Sequence, residues 1–290
     1  MNEPIRLQLL RSDDRDAQHA VRRGELVRVT RGIAVDQDDW VNAGVRGRAR
    51  IELEAVVTAV GEWRTLSHRS AALLWNLPDV DRPDRRVHVT DPLLATTHSG
   101  RRVVRHAAPL SDDDVTTIDG RRVTSLLRTV VDLARSTSYE NVVAVLDHVL
   151  RLRLVDETAL RRAFAAWPSP RGMTRARRAL LFADPLAESP GESVSRVRAD
   201  HEGFPPPVLQ QRMGRSRVDF WWPRFGIVGE FDGLVKYEQD TGAIRTEKQR
   251  EQELLMRPEV RRVVRWGWSD LGARGRFQTL LRSAGLPTGC

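Results

Sequence analysis

The sequence predicts a mixed α/β protein built in two parts. Three observations carry that expectation. Alternating strand-like runs sit beside helical periodicity up to about residue 182. After ADPLAESP (183–190) the texture changes to a strand hairpin, a helix, a strand and a helix. The chain also has 290 residues, 40% of them hydrophobic, with 20 glycines besides, enough to bury a real core and to suggest two domains.

The elements follow in order. Residues 13–23 have helical character, which Gly24 ends, and LVRVTRGIAV alternates like a strand pair turning at Arg31-Gly32. Residues 46–61 and 67–77 read as helices, the second capped by Ser67. RRVHVTDP and RRVVRHAAPL are strand-like, and IDGR signals a tight turn through Asp119-Gly120. SLLRTVVDLAR and YENVVAVLDHVLR read as amphipathic helices, and 156–166 as another that ends before the breaker WPSPRG. GMTRARRALLF carries a basic face of Arg175, Arg177 and Arg178. ADPLAESP reads as a linker, placing a domain boundary near residue 185.

Composition narrows the function classes. The net charge of +8 favours a polyanionic partner such as DNA, while free use of arginine by a GC-rich genome gives the same balance. Lys236 and Lys248 are the only lysines, so 45 of the 47 basic residues are arginine. Cys290 is the single cysteine, which excludes a disulfide framework or a cysteine-based zinc site within one chain and fits a reducing cytoplasm. No apolar run approaches the ~20 residues of a membrane span, and the first ten residues lack a signal-peptide core.

The segment VDFWWPRFGIVGEFDGLVKY (218–237) is apolar yet holds Asp219, Glu230 and Asp232. Pro223-Arg224-Phe225-Gly226 has turn chemistry, and a turn there sets Trp222 opposite Ile227 and Asp219 opposite Glu230. Alternation then puts Asp219, Trp221, Val228, Glu230 and Asp232 on one face, with Val218, Phe220, Trp222, Ile227 and Phe231 on the core face. Two carboxylates about 5 Å apart repel by roughly 3 kcal/mol at an effective dielectric near 20. A raised pKa, a cationic neighbour or a divalent metal would relieve them. Arg217 falls opposite Asp232 and offers a plain cross-strand pair, and a one-residue slip would separate the acids.

This hairpin, with EKQREQELLMRPEVRRVVRWGWSDL after it, resembles the PD-(D/E)XK nuclease core, and more narrowly a domain related to very-short-patch-repair endonucleases. The resemblance covers about 188–285 and implies a restriction-endonuclease-like mixed sheet flanked by helices. It implies that Asp219 and Glu230, with the Phe231 carbonyl and Asp232 nearby, hold Mg²⁺ or Mn²⁺. It also implies that Glu192 supports the ion from a preceding helix. Glu192 equally completes a capping box with Ser189 and Pro190. Asp232 stands where the motif has lysine, so Lys236 or Lys248 would bring the ammonium. Arg245, Lys248, Arg250, Arg261 and Arg262 are candidate phosphate contacts.

AVRRGELVRVTRGIAV and RVTSLLRTVVDLAR resemble abortive-infection type IV antitoxin-like proteins, over about 1–150. That implies a winged-helix region over 1–40 binding DNA through Arg22, Arg23, Arg28 and Arg31, followed by a mixed helical region over 41–182. Three readings stay open. The chain is a metal-dependent nuclease of DNA repair or phage defence, a non-catalytic antitoxin-like DNA-binding regulator, or a protein-interaction module.

Overall fold

A computed structural model describes residues 7–9, 15–60, 64–167, 171–233 and 249–289. Lys236, Arg245 and Lys248 lie outside the described residues. The protein is α/β, with helices packed on mixed and antiparallel sheets. No helix among the described residues is long and apolar enough to cross a membrane. The chain divides into two compact units, one of residues 1–137 and 159–173, the other of 138–158 and 174–290.

The first unit opens with β1 (Gln8–Leu9), α1 (Arg15–Arg23), β2 (Leu26–Thr30) and β3 (Ile33–Asp36), its strands forming an antiparallel sheet in the order β1-β3-β2. Gly24 and Gly32 take the left-handed conformation that ends α1 and turns the hairpin, as their positions in the sequence require. Then come α2 (Gln37–Asn42), α3 (Gly44–Val60), β4 (Thr65–Leu66) and α4 (His68–Leu74). Ser67 holds the N-cap position of α4 but makes no capping bond, its hydroxyl lying 3.0 Å from His68 Nδ1 instead.

Strands β5 (Val87–Asp91), β6 (His98–Ser99), β7 (Val103–Ala107), β8 (Val115–Ile118) and β9 (Arg121–Thr124) join β4 in a sheet of order β6-β7-β5-β4-β9-β8. Asp119 and Gly120 both have positive φ, the conformation of a type I′ turn. Helix α5 (Leu126–Ser136) starts on Ser125, whose hydroxyl accepts from the Arg128 N–H. The core gathers Leu53, Val57 and Leu74 from helices against Leu66, Val87, Val89 and Val123 from strands.

The second unit contains α6 (Tyr139–Arg151) and most of α8 (Met173–Phe182); α7 (Glu157–Ala166) spans the division of the chain between the units. It continues with α9 (Pro190–His201), β10 (Val208–Met213), β11 (Ser216–Trp222) and β12 (Ile227–Asp232). Helical residues 249–255 (α10), β13 (Arg262–Gly267), α11 (Trp268–Gly272) and α12 (Arg276–Ala284) complete it. Its sheet runs β10-β11-β12-β13, antiparallel except for the parallel β12–β13 pair. The hairpin turns at 223–226 and sets Trp222 against Ile227, the register read from the sequence.

ADPLAESP does not separate two folded parts. It lies inside the second unit, because the nearly inaccessible Asp147 of α6 accepts from the Asp184 N–H (2.7 Å), the Ser193 hydroxyl (2.7 Å) and Arg196 (2.9 Å). A buried carboxylate collects donors wherever the chain offers them, and here they tie α6 to α9 and to the segment between α8 and α9.

Candidate functional site

The acids of the hairpin are not arranged as simple alternation requires. Val218 packs with Trp221, Val228, Leu254 and Val260 in one apolar cluster, although Val218 and Trp221 are an odd number of residues apart. Phe220 instead contacts Trp222 and Trp266. Alternation is therefore broken between Val218 and Trp221, where Asp219 sits. The β10–β11 ladder skips the same place, pairing Leu209 with Phe220 and Gln211 with Val218, and Gln210 has φ +53°. A non-glycine residue in the left-handed region is uncommon and holds strain of order 1–3 kcal/mol.

That irregularity turns Asp219 toward Glu192. The Gln210 side-chain amide donates to Glu192 Oε2 (2.9 Å) and lies 3.4 Å from Asp219 Oδ1, so one neutral group serves two carboxylates. Asp219 Oδ2 accepts the Phe231 N–H at 2.9 Å. Burial pushes both carboxyls above their ordinary range, and each is opposed by its hydrogen bonds. Asp219 adds a like-charge push to Glu192, while Arg250 pulls Asp219 back down.

Glu192 forms half of the capping box expected of it, its carboxylate taking the N–H of Glu188 rather than that of the N-cap Ser189. Ser189 accepts from the Glu192 N–H, Pro190 opens α9, and the Glu192 carboxylate accepts from the Glu188 N–H at 2.9 Å. Helix α9 approaches β12 closely because residue 191 is glycine, and a Cβ there would lie 1.9 Å from the Phe231 ring. Trp266 donates to the Ser195 hydroxyl at 2.8 Å and fixes the same contact from β13.

Glu230 has other partners. It is 5% exposed and lies between Arg250 of α10 (2.6 Å) and Arg265 of β13 (3.0 Å). Of the expected means of relief, Glu230 has cationic neighbours, whereas the Asp219 and Glu192 carboxyls are raised chiefly by burial rather than by Glu230. The acid that Gln210 links to Asp219 is Glu192, not Glu230. Asp232 is half-buried on the ladder opposite Gly267. Arg217, expected opposite Asp232, pairs with Glu188 at 2.6 Å. Among the described residues no group of three or more His, Cys, Asp or Glu side chains is disposed to hold a metal ion.

The expected phosphate contacts fare unevenly. Arg22, Arg28, Arg31 and Arg261 are exposed, and Arg23 is exposed but paired with Glu25. Arg262 donates to the Ser283 carbonyl near the end of α12. Arg250 is engaged inward by Glu230 and the Arg217 carbonyl. Sequence reasoning missed Gln210 and Arg265. No propensity marks a glutamine for positive φ, and Arg265 meets Glu230 through a parallel register that no local pattern records.

No family model matches the chain. Over 122 residues it is 34% identical to two curated relatives, the uncharacterized proteins MT2308 and Rv2248 of two Mycobacterium tuberculosis strains. The match covers 40% of this chain and 45% of each relative, so the chain spans less than half the length of the relatives it matches.

Proposed function

We propose that the second unit is a nuclease-like DNA-binding domain whose Glu192–Asp219 pair takes a divalent cation. The single observation behind this reading is the pair itself. A buried and a half-buried carboxylate share one neutral amide on a strained residue, an arrangement that stability alone does not favour.

The residues suit Mg²⁺ or Mn²⁺. Hard cations take oxygen donors, and magnesium needs only one or two carboxylates because it keeps several waters. Glu192 and Asp219 would hold it, with the Gln210 carbonyl oxygen available if the amide turns over. When bound, such an ion acidifies a coordinated water and offsets charge on a phosphodiester. Glu230 would keep Arg250 and Arg265 in place beside the acids, and the exposed Arg261 would meet a phosphate without reading bases; Arg22, Arg28 and Arg31 of the first unit would offer phosphate contacts of their own. The non-catalytic regulator is the second reading, favoured by one observation: Glu230 is already satisfied by two arginines.

One experiment separates them. Wild type and Asp219→Asn are melted in chelator and in Mg²⁺ or Mn²⁺, and both are incubated with single- and double-stranded DNA. Metal-dependent stabilisation and cleavage, both lost in the variant, are expected because a ligand bound only to the native state must raise its melting temperature. Salt-sensitive DNA binding with no response to metal would establish the regulator instead.

A further inference from the structure

The first unit holds a second cluster, unrelated to the acids. His68, His88 and His106 surround a cavity of about 550 Å³ that Arg69, Arg82 and Arg86 also line. The rings of His68 and His106 stack at 3.5 Å between centroids and 11° between planes. His88 Nδ1 lies 3.0 Å from His106 Nε2, and His88 Nε2 lies 3.2 Å from Asp84 Oδ2. His68 has φ +51°, a left-handed backbone for a bulky residue at the start of α4.

The protons in this chain follow from its fixed end. Arg86 grips Asp84 with two side-chain bonds of 2.6 and 2.8 Å and holds its carboxyl well below the usual range. An ionised Asp84 only accepts, so His88 donates from Nε2 and keeps its lone pair on Nδ1. His106 then donates from Nε2, which leaves the His106 Nδ1 lone pair as the open end of the chain. His106 is half-buried at the cavity wall.

The arginines differ in what they have left to offer. Arg69 is matched by Asp79 and Asp81, and Arg86 by Asp84. Arg82 is exposed and makes no ion pair among the described residues. The cavity therefore presents one uncommitted guanidinium, two committed ones and a basic nitrogen against a single lining carboxylate, Asp84, which Arg86 neutralises, with no group among the described residues disposed to hold a metal.

We propose that this cavity binds a phosphate-class oxyanion, with Arg82 as the capturing cation and His106 Nδ1 taking up a proton as the anion enters. A neutral His106 meets an anion with a lone pair, which repels it, whereas the imidazolium donates. The groups around His106 set the sign. Burial lowers its pKa to about 4, and His88, Arg135 and Arg86 push the same way. His68 stacks on its ring, with Asp132 of α5 lying 3.8 Å from His68 Nδ1. A bound anion opposes these pushes and raises the pKa. Binding then consumes a proton and tightens as pH falls from 7 toward 5.

Calorimetry on the full chain tests this. Sulfate serves as the first probe because it does not titrate in that range, and inorganic phosphate as the second. At pH 6, heats measured in two buffers of different ionisation enthalpy should show proton uptake on sulfate binding. Affinity should rise at least fivefold from pH 7 to pH 5. Arg82→Ala, at an exposed position, should weaken binding at least fivefold without changing the melting temperature. His106→Gln should abolish the proton uptake. A single-stranded oligonucleotide carrying a 5′-phosphate, compared with its 5′-hydroxyl twin, identifies the source. A preference that Arg82→Ala removes assigns a nucleic-acid end, and equal binding assigns free phosphate; both support the site. No binding at millimolar anion, or binding that neither variant alters, overturns it.

Discussion

The acid pair of the second unit and the histidine cluster of the first place titratable groups out of water with opposite deficits of charge. Glu192 and Asp219 are raised by burial and share a neutral donor, with Arg250 only partly pulling Asp219 back, so a cation is what would relieve them. His68, His88 and His106 are lowered by burial and stand among arginines; Asp84 faces His88 and Asp132 lies near His68, so it is His106 that an anion would relieve. Both sites also hold a non-glycine residue at positive φ, Gln210 in one and His68 in the other. Burial alone gives each shift its direction. Only the neighbours tell which class of ligand would relieve it.

The largest effect expected is on the floor of the histidine cluster. Arg128 and Asp132 are both almost inaccessible and pair at 3.1 Å, with Asp132 3.8 Å below His68. Arg128→Met leaves Asp132 as an uncompensated buried charge and should cost about 3–5 kcal/mol at pH 7. Burial lifts the Asp132 carboxyl to about 6, so the loss should shrink at pH 5 as the carboxyl protonates. Denaturant melts at both pH values check this, and an equal loss at the two would leave Asp132 out of it.

Gln210→Met makes the matching cut in the acid pair. It removes the donor that the two carboxylates share and should cost about 2–3 kcal/mol at neutral pH. The folded-state pKa values of Glu192 and Asp219 lie above their unfolded values, so this cost should fade as pH drops toward 4. Added Mg²⁺ should restore part of the stability if a cation belongs there. Guanidinium titrations across pH, with and without the metal, give both numbers.

The histidines should show the opposite slope. The folded pKa of His106, about 4, is below the unfolded 6.5, so its contribution is whole above pH 6.5 and is lost as pH falls toward 4. His106→Gln should flatten that limb by about 2 kcal/mol. An unchanged acid limb would mean that folding does not shift the His106 pKa. The smallest effect sharpens the geometry of the acid site. Gly191→Ala places a methyl against the Phe231 ring, should cost about 1–2 kcal/mol, and should weaken any metal response by shifting α9.

Much of this was legible in the residues. The α/β class, the hairpin turning at 223–226 with Trp222 against Ile227, the Asp119-Gly120 turn and the Ser189-Pro190 start of α9 all follow from local chemistry. What local chemistry could not supply was partner choice. Strict alternation put Asp219 with Glu230, but the distortion at Gln210 gave it to Glu192, and β13 brought Arg265 to Glu230 across a parallel crossover. The histidines come from α4, β5 and β7, 18 to 38 residues apart in sequence, and only the sheet order gathers them. ADPLAESP looked like a linker because its composition is that of one, while the donor-hungry Asp147 that anchors it lies 37 residues earlier.

The way the chain alternates between units has a consequence for how this gene can be rearranged. The path leaves the first unit at residue 137, returns at 159 and leaves again after 173. No single breakpoint yields either unit whole. A fragment beginning at 188 lacks α6 and its Asp147, so Arg196 and Ser193 lose the acceptor that orders them. A fragment ending at 182 carries α6 with its buried carboxylate uncovered. Transfer of either unit to another protein as a module would need at least two junctions, so the pair is expected to be inherited, truncated and lost together.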